Sequence, residues 1–289
     1  MICIISHDAG GAEILSSLVR RSDEKFIFVL EGPAVAIFKR KVENLEIVPF
    51  DVGISSSDLV YCGTSWQSDL ERLAMRACRK SGKRCVAFLD HWVNYEKRFF
   101  SNGFTELPDQ IRVGDEFAYA MARDLFPETQ IELEPNPYFL DIQAEVEAIR
   151  ESHVGEKSVT TFLYVTEPTS EHAMKQFGDP RYWGYDEFEA LERFLGSAPA
   201  LFPGPLMLIL RPHPAEELTK FDNILRSSHI KTVVNRHDSL LDSVVKSDVV
   251  VGCDTMAMVV GVLAGKRVIC SIPKGGKRCS LPYPEIEIL

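Results

Sequence analysis

The chain has no apolar run approaching the roughly 18 residues that a membrane span needs, so no integral membrane segment is expected. It has no CxxC pair, which removes the common zinc and dithiol redox motifs. Its cysteines number seven, an odd count that does not suit a disulfide framework. Cys3, Cys62, Cys85 and Cys270 lie in apolar, strand-like runs, where free thiols behave as small hydrophobes. No positively charged leader precedes Met1-Ile2-Cys3-Ile4-Ile5, itself a strand signal. The expected location is therefore the cytoplasm or the cytoplasmic face of the inner membrane. No low-complexity segment or short repeat occurs. No His, Asp or Glu cluster has metal-ligand spacing, so neither a metal nor a resident cofactor is expected.

Basic charge is also scarce. Lys and Arg total 32 against 42 for Asp and Glu, a net charge of −10. A duplex-binding protein normally carries a basic stripe, and none is visible, so nucleic acid is not an expected partner. The basic clusters at Arg79-Lys80 with Lys83-Arg84, and from Lys274 to Arg278, read as solvated turns or a local anion site. With 45% hydrophobic and 26% charged residues, the composition is that of a folded globular chain rather than a disordered one.

What is present is a strand–helix alternation that runs through 289 residues. In the first half, strands are expected at Ile2–Ser6, Phe26–Leu30, Leu45–Phe50, Asp58–Cys62, Arg84–Leu89 and Gln110–Val113. Helices are expected at Gly11–Arg20, Pro33–Val42, Ser68–Ser81 and Glu116–Leu125. The strands are continuous apolar runs, the pattern of strands buried on both faces of a parallel sheet. A turn at Glu134-Pro135-Asn136-Pro137, a polar helix over Phe139–Ser152 and a linker at Gly155-Glu156-Lys157-Ser158 interrupt the pattern. It then restarts with strands at Ser158–Val165, Leu206–Arg211, Lys231–Val234, Asp248–Gly252 and Arg267–Ser271. The helices between them fall at Asp186–Leu195, Ala215–Ser227, Ser239–Val245 and Met256–Ala264. The expected fold class is α/β with two doubly wound parallel-sheet domains, residues 1–150 and 151–289, facing a cleft.

Ligands of such sheets sit beyond the carboxyl ends of the strands, so motifs there carry the most information. After the first strand stands Ser6-His7-Asp8-Ala9-Gly10-Gly11-Ala12-Glu13. Gly10 and Gly11 allow close backbone approach beside a helix N-terminus, although the segment is not GxGxxG. Asp8 reads either as a general base partnered by His7 or as a plain N-cap. Leu89-Asp90-His91-Trp92-Val93-Asn94-Tyr95 closes another strand. Asp90 and His91 are candidate polar groups there, and Trp92 and Asn94 a candidate sugar-binding lip. For the rings, ordinary packing into the domain is the rival reading.

In the second half, Arg211-Pro212-His213-Pro214 ends a strand in a stiff, cationic turn suited to phosphate or carboxylate. Gly252-Cys253-Asp254-Thr255 leads into a helix, with Asp254 or Thr255 as its cap and the helix N-terminus as an anion site. Thr166-Glu167-Pro168-Thr169-Ser170 reads as a hydroxyl-rich loop lining the cleft, and Pro273-Lys274-Gly275-Gly276-Lys277-Arg278 as a flexible basic loop. His153, His229 and His237 read as surface residues, and His172 as a residue in reach of the cleft.

These motifs resemble the GT-B class of nucleotide-sugar glycosyltransferases, which have two Rossmann-like halves. The pair Arg211–Pro214 and Ser247–Thr255 is similar to the His-Pro motif and later helix start of bacterial sialyltransferases and related Kdo and pseudaminic-acid transferases. That resemblance implies a first domain for a glycan or glycoprotein acceptor and a second for a CMP-linked donor. It puts the donor phosphate on His213 and Thr255, with Arg211, Pro214, Glu167 and Asp254 around it. The base would be Asp8, with Asp90 as its substitute, and Gly10, Gly11, His91, Trp92 and Asn94 would meet the acceptor. Asp8-Ala9-Gly10 carries one acid where those families carry two. The second half also resembles teichoic-acid glycerophosphotransferases and non-hydrolysing UDP-sugar 2-epimerases, though the Ser-Gly-Gly helix start of the latter is absent. The expected activity is a metal-independent, inverting sugar transfer. Its rivals are a UDP-sugar epimerase or nucleotide-sugar hydrolase, and a non-catalytic nucleotide- or glycan-binding module.

Overall fold

A computed structural model describes residues 1–101, 103–151, 158–235 and 237–289. It divides the chain into two compact units, Met1–Asp141 and Ile142–Leu289. Residues 155–157 of the expected linker, His153, and Ser152 at the end of the expected polar helix lie outside the described residues.

Unit 1 begins β1 (Ile2–Ser6), α1 (Ala9–Arg20), β2 (Phe26–Leu30), α2 (Gly32–Lys41), α3 (Phe50–Ser55), β3 (Leu59–Cys62) and α4 (Leu70–Ser81). It continues with β4 (Arg84–Phe88), α5 (Tyr95–Phe99), β5 (Phe100–Ser101), β6 (Phe104–Thr105), β7 (Gln110–Val113), α6 (Glu116–Leu125) and β8 (Gln130–Leu133). The unit boundary falls within α7 (Pro137–Glu151). Unit 2 begins β9 (Thr160–Val165), α8 (Thr169–Phe177), α9 (Glu187–Leu201), β10 (Leu206–Arg211), α10 (Asp222–Ser227) and β11 (Lys231–Val234). It ends with α11 (Leu240–Lys246), β12 (Val249–Gly252), α12 (Met256–Leu263), β13 (Arg267–Cys270) and β14 (Ile286–Ile288).

Each unit holds a six-stranded sheet whose strands pair in parallel, in the orders β2-β1-β3-β4-β7-β8 and β11-β10-β9-β12-β13-β14. Unit 2 shows the doubly wound order, with its first strand inside the sheet and later strands added on both sides. Unit 1 follows the same order with one strand reduced. The strand expected over Leu45–Phe50 is only a single parallel bridge, Ile47 to Phe28, with the Val48 N–H donating to the Phe28 carbonyl at 2.8 Å. Pro49 has no N–H to continue a ladder, and α3 starts directly after it.

Apolar side chains on both faces of the strands explain why parallel sheets form here. In unit 1, Ile4, Leu15, Phe28, Phe38 and Val86 form one core cluster. In unit 2, Phe162, Tyr164, Phe194, Leu208 and Val251 form another, with the rings of Phe162 and Phe194 in edge contact at 5.1 Å. All seven cysteines are free thiols, and six of them are buried.

Several helical expectations need correction. The helix expected over Ala215–Ser227 is present only as α10, because Glu216 turns its carboxylate inward, onto the His213 backbone and Lys220. The helix expected to stop at Leu195 runs on to Leu201 and takes Pro199 into its last turn. The segment expected as a hydroxyl-rich loop becomes helix from Thr169. The residues after Pro282-Tyr283-Pro284 add an edge strand, β14, parallel to β13.

Phe162 is fully buried between Phe194 and Phe202. We expect Phe162→Ala to cost about 3–5 kcal/mol of the stability of unit 2, read as a lowered urea midpoint at unchanged slope.

Candidate functional site

In unit 1 the polar residues collect where β1 and β3 end side by side, which is where connections leave the sheet in opposite directions. Gly11 and Gly63 meet there so closely that a Cβ on Gly11 would lie 3.0 Å from the Gly63 Cα. Asp8 is the N-cap residue of α1, yet its side chain makes no capping hydrogen bond. It is turned instead toward His7, whose Nδ1 lies 2.7 Å from Asp8 Oδ1. A carboxylate can only accept, so Nδ1 carries a proton, and in the neutral imidazole Nε2 then holds the lone pair. The imidazole lies over Gly32, where φ is +52° and a Cβ would come 2.6 Å from Nε2. The His7–Asp8 couple thus has the order expected of a base and the carboxylate that orients it.

Beneath this couple lies a carboxylate that sequence reasoning did not single out. Glu71, in the first turn of α4, is 1% exposed and accepts the His7 N–H at 2.7 Å. Among the described residues neither its Oε2 nor the buried Ser6 hydroxyl has a hydrogen-bond partner. Burial, with a smaller contribution from the charge of Asp8, pushes the Glu71 carboxyl up to about 7. One signal was in the sequence: Glu71 occupies the same helical stripe as Ala74, Met75 and Cys78, all buried.

Asp90 sits against the same helix start, because a Cβ on Gly10 would fall 1.8 Å from its Oδ2. Its Oδ1 is 2.5 Å from Nη1 of Arg98, which is 4% exposed and also donates to the Thr64 carbonyl and hydroxyl. This buried pair neutralises Asp90 and ties α5 to the ends of β3 and β4. Trp92 is 5% exposed, and its indole N–H donates to the Asp115 carboxylate. Its ring is therefore packed into the unit and offers no open face to a sugar, a correction to the expected lip. His91 is half-buried with its Nδ1 accepting the Trp92 N–H at 2.9 Å, while Asn94 is exposed with φ +59° at the start of α5.

In unit 2 the ends of β10, β9 and β12 bring three of the sequence motifs to adjacent strands. The Ala215 N–H donates to Nδ1 of His213 at 3.1 Å, so the imidazole hydrogen stands on Nε2. The His213 backbone N–H donates to the Glu216 carboxylate at 3.0 Å and to the Thr166 hydroxyl at 3.2 Å, and that hydroxyl donates to Glu216. Lys220 bridges three carboxylates beneath the turn, meeting Glu216 at 2.8 Å, Glu187 at 2.6 Å and Glu171 at 2.8 Å. The turn is thus rigid from below, as its two prolines imply. Pro214 itself is exposed, and the His172 ring stands 6.3 Å from that of His213. Arg211 donates from Nη1 to the Asp238 carbonyl at 2.8 Å.

Thr255, not Asp254, is the N-cap of α12, and its hydroxyl accepts the Ala257 N–H at 3.4 Å. Asp254 instead anchors the basic loop: it meets Lys277 Nζ at 3.0 Å and accepts the Ser280 N–H and hydroxyl at 2.9 and 2.7 Å. Burial pushes the Glu167 carboxyl up to about 7. A hydrogen bond with Thr255 opposes the shift, and the charges of Asp254 and Glu216 add to it. His229 and His237 are exposed. Among the described residues no group of His, Cys, Asp or Glu could hold a metal ion, and no helix is long and apolar enough to cross a membrane.

No protein-family model matches the chain, and no curated protein matches it. Solved structures do. The UDP-GlcNAc 2-epimerase from Methanocaldococcus jannaschii is 12% identical with a TM-score of 0.58, over 93% of this chain and 83% of that one. MurG from Acinetobacter baumannii is 11% identical with a TM-score of 0.53, over 95% and 79%. The wall teichoic acid polymerase TagF is 12% identical with a TM-score of 0.50, over 93% and 69%. At these identities the likeness is one of fold alone, a GT-B-like fold with two Rossmann-like α/β units.

Glu71 and Glu167 give a pH signature. A carboxyl held near 7 in the folded state, against an ordinary 4.5, is more protonated there than in the unfolded chain. Stability is then full below about pH 4.5 and falls as pH rises toward 7, by at most about 3 kcal/mol per group. Thermal unfolding between pH 5 and 8 should show this decline, and Glu71→Gln and Glu167→Gln should each flatten it. Parallel profiles in wild type and variants would contradict the assignment.

Proposed function

We propose that this chain is a metal-independent, inverting glycosyltransferase. The observation that carries the proposal is the pair of opposite histidine tautomers, His7 set to take a proton and His213 set to donate a hydrogen bond. The acceptor hydroxyl, held on unit 1, gives its proton to His7 Nε2 while Asp8 stabilises the imidazolium. Its oxygen bonds to the anomeric carbon of the donor as the carbon–oxygen bond to phosphate breaks. The leaving phosphate gains a negative charge, received by the His213 Nε2–H and the N-terminal N–H groups of α12 beyond Thr255. This reading moves the base from Asp8 itself to His7. It makes Asp90 a positioning residue, since Arg98 holds its charge against Gly10.

The donor we infer is a CMP-linked nonulosonate, such as a sialic or pseudaminic acid, on the strength of the Arg211–Pro214 turn and the Thr255 helix start. The acceptor is a glycan or glycoprotein, met around Gly10, Gly11, His91 and Asn94. Arg211, Pro214, Glu167 and Asp254 shape the donor side.

Thermal shift with CMP, UDP, GDP and CDP tests the donor half. CMP at 100 times its Kd should add about 2.7 kcal/mol of stability, and His213→Ala should remove the shift. A preference for UDP would sink the nonulosonate donor, and silence from all four nucleotides would undercut the transferase. His7→Ala and Asp8→Asn should each leave the CMP shift intact and lower transfer by about 100-fold or more. Turnover of a UDP-sugar without acceptor would favour an epimerase or hydrolase instead. Nucleotide binding that survives Asp8→Asn with Asp90→Asn, with no turnover of any donor, would favour a binding module.

A further inference from the structure

The connection between β13 and β14 breaks the rule that the other crossovers of unit 2 follow. Parallel neighbours are ordinarily joined through a helix that covers the sheet face. From Ser271 to Glu285 the chain forms no helix at all, although β13 and β14 pair in parallel with Val268 opposite Ile286 and Cys270 opposite Ile288. The connecting segment instead lines a pocket of about 480 Å³, together with Arg193 and β14. That volume lies within the usual range for a small-molecule site.

Its walls are apolar. Ile272, Leu281 and Ile286 are 6, 7 and 8% exposed, while Ile288 on the edge strand is 69% exposed. Its rim is cationic. Lys277 is neutralised by Asp254, but Lys274 and Arg278 are exposed and have no ion-pair partner among the described residues. On a chain of net charge −10, two unneutralised cations beside an apolar pocket form a local field opposite in sign to the whole.

The loop is also anchored at several points along its length. Asp254 holds Lys277 and Ser280, and the Lys277 N–H donates to the Trp183 carbonyl at 2.8 Å. Gly276 fits where a Cβ would come 2.8 Å from both Ile272 and Tyr185, and Gly184 where one would come 2.8 Å from the Gly275 carbonyl. Arg193 braces the opposite wall by donating to the carbonyls of Ile272 and Leu289.

We infer that this pocket is a second ligand site of unit 2, for a small amphiphilic anion. The occupant has one phosphate, sulfonate or carboxylate for Lys274 and Arg278, and an alkyl or aryl body for Ile272, Leu281, Ile286 and Ile288. A purely polar anion would leave the apolar walls wet, and a neutral apolar molecule would forgo the cations. The site does not depend on the transferase reading, since none of these residues belongs to the donor set.

Isothermal titration calorimetry of the full chain with octyl phosphate, below its micelle concentration, tests it. One saturating site is expected, about tenfold or more tighter than inorganic phosphate or octyl glucoside. Lys274→Glu with Arg278→Glu, and separately Ile288→Asp, should each weaken octyl phosphate about tenfold or more. All three positions are exposed, so the variants should keep the wild-type melting profile. Unchanged affinity in the charge-reversed variant would overturn the site. So would loss of binding in His213→Ala, which would place the ligand in the donor site. Binding to phosphatidylglycerol vesicles but not to monomeric octyl phosphate would mean a lipid surface instead. A dimer in sedimentation velocity that Ile288→Asp dissociates would mean that a second copy covers the pocket.

Discussion

The parallel alignment of the strands around β1 and β9 is the constraint on which the rest of this molecule depends. Parallel strands cannot be joined by tight turns, so every connection leaves from the carboxyl edge and must cross back. Because β1 and β9 lie inside their sheets, with neighbours on both sides, connections part in opposite directions beside each of them. The residues that follow these strands are freed from the sheet at the mouth of that parting. They are also the polar ones, Ser6-His7-Asp8 in unit 1 and Thr166-Glu167 in unit 2. The apolar strands behind them are buried, so polar groups are excluded from the strands and appear where the strands end.

At that edge, single neighbours decide chemistry. His7 and His213 are the same side chain in similar positions, each just past a parallel strand. A carboxylate beside Nδ1 makes one an acceptor at Nε2, and a backbone N–H beside Nδ1 makes the other a donor there. The acids divide in the same way. Asp90, Asp254 and Glu216 are each held by a cation or by backbone donors, and hold elements in place. Glu71 and Glu167 lack such full compensation and rise to about 7. An acidic chain thus sets two of its basic features, the His213 turn and the loop at Lys274–Arg278, against its own carboxylates.

The strand and helix pattern was largely legible because continuous apolar runs can form only doubly covered strands. β2, β7, β10 and β11 fall where the runs begin and end. The failures have local causes. A run over Leu45–Phe50 looks like a strand, but Pro49 cannot donate, so one bridge survives. Ala215–Phe221 has a helical pattern, but the pull of His213 and Lys220 on Glu216 draws that segment into turns. β14 is too short and too exposed for periodicity to mark, and α8 begins inside a segment that Thr, Pro and Ser disguise as loop.

Of the candidate site, the sequence by itself determined which segments would reach the ligand edge. A strand's end is a local property of the chain, set where apolar residues give way to polar ones. His7, Asp8, Glu167, His213 and Thr255 were all marked in that way. Only the tertiary structure decided what each of them touches. Asp8 turns from the helix it precedes to its neighbour His7, and Asp254 turns to a loop more than a strand away in sequence. Glu71 reaches His7 from another helix, and Arg98 reaches Asp90 from the far side of a turn. Hydrogen bonds and ion pairs act over about 3 Å of space, whatever the distance along the chain. A residue's role is therefore fixed by neighbours that folding supplies, and the sequence names those neighbours only when they are adjacent.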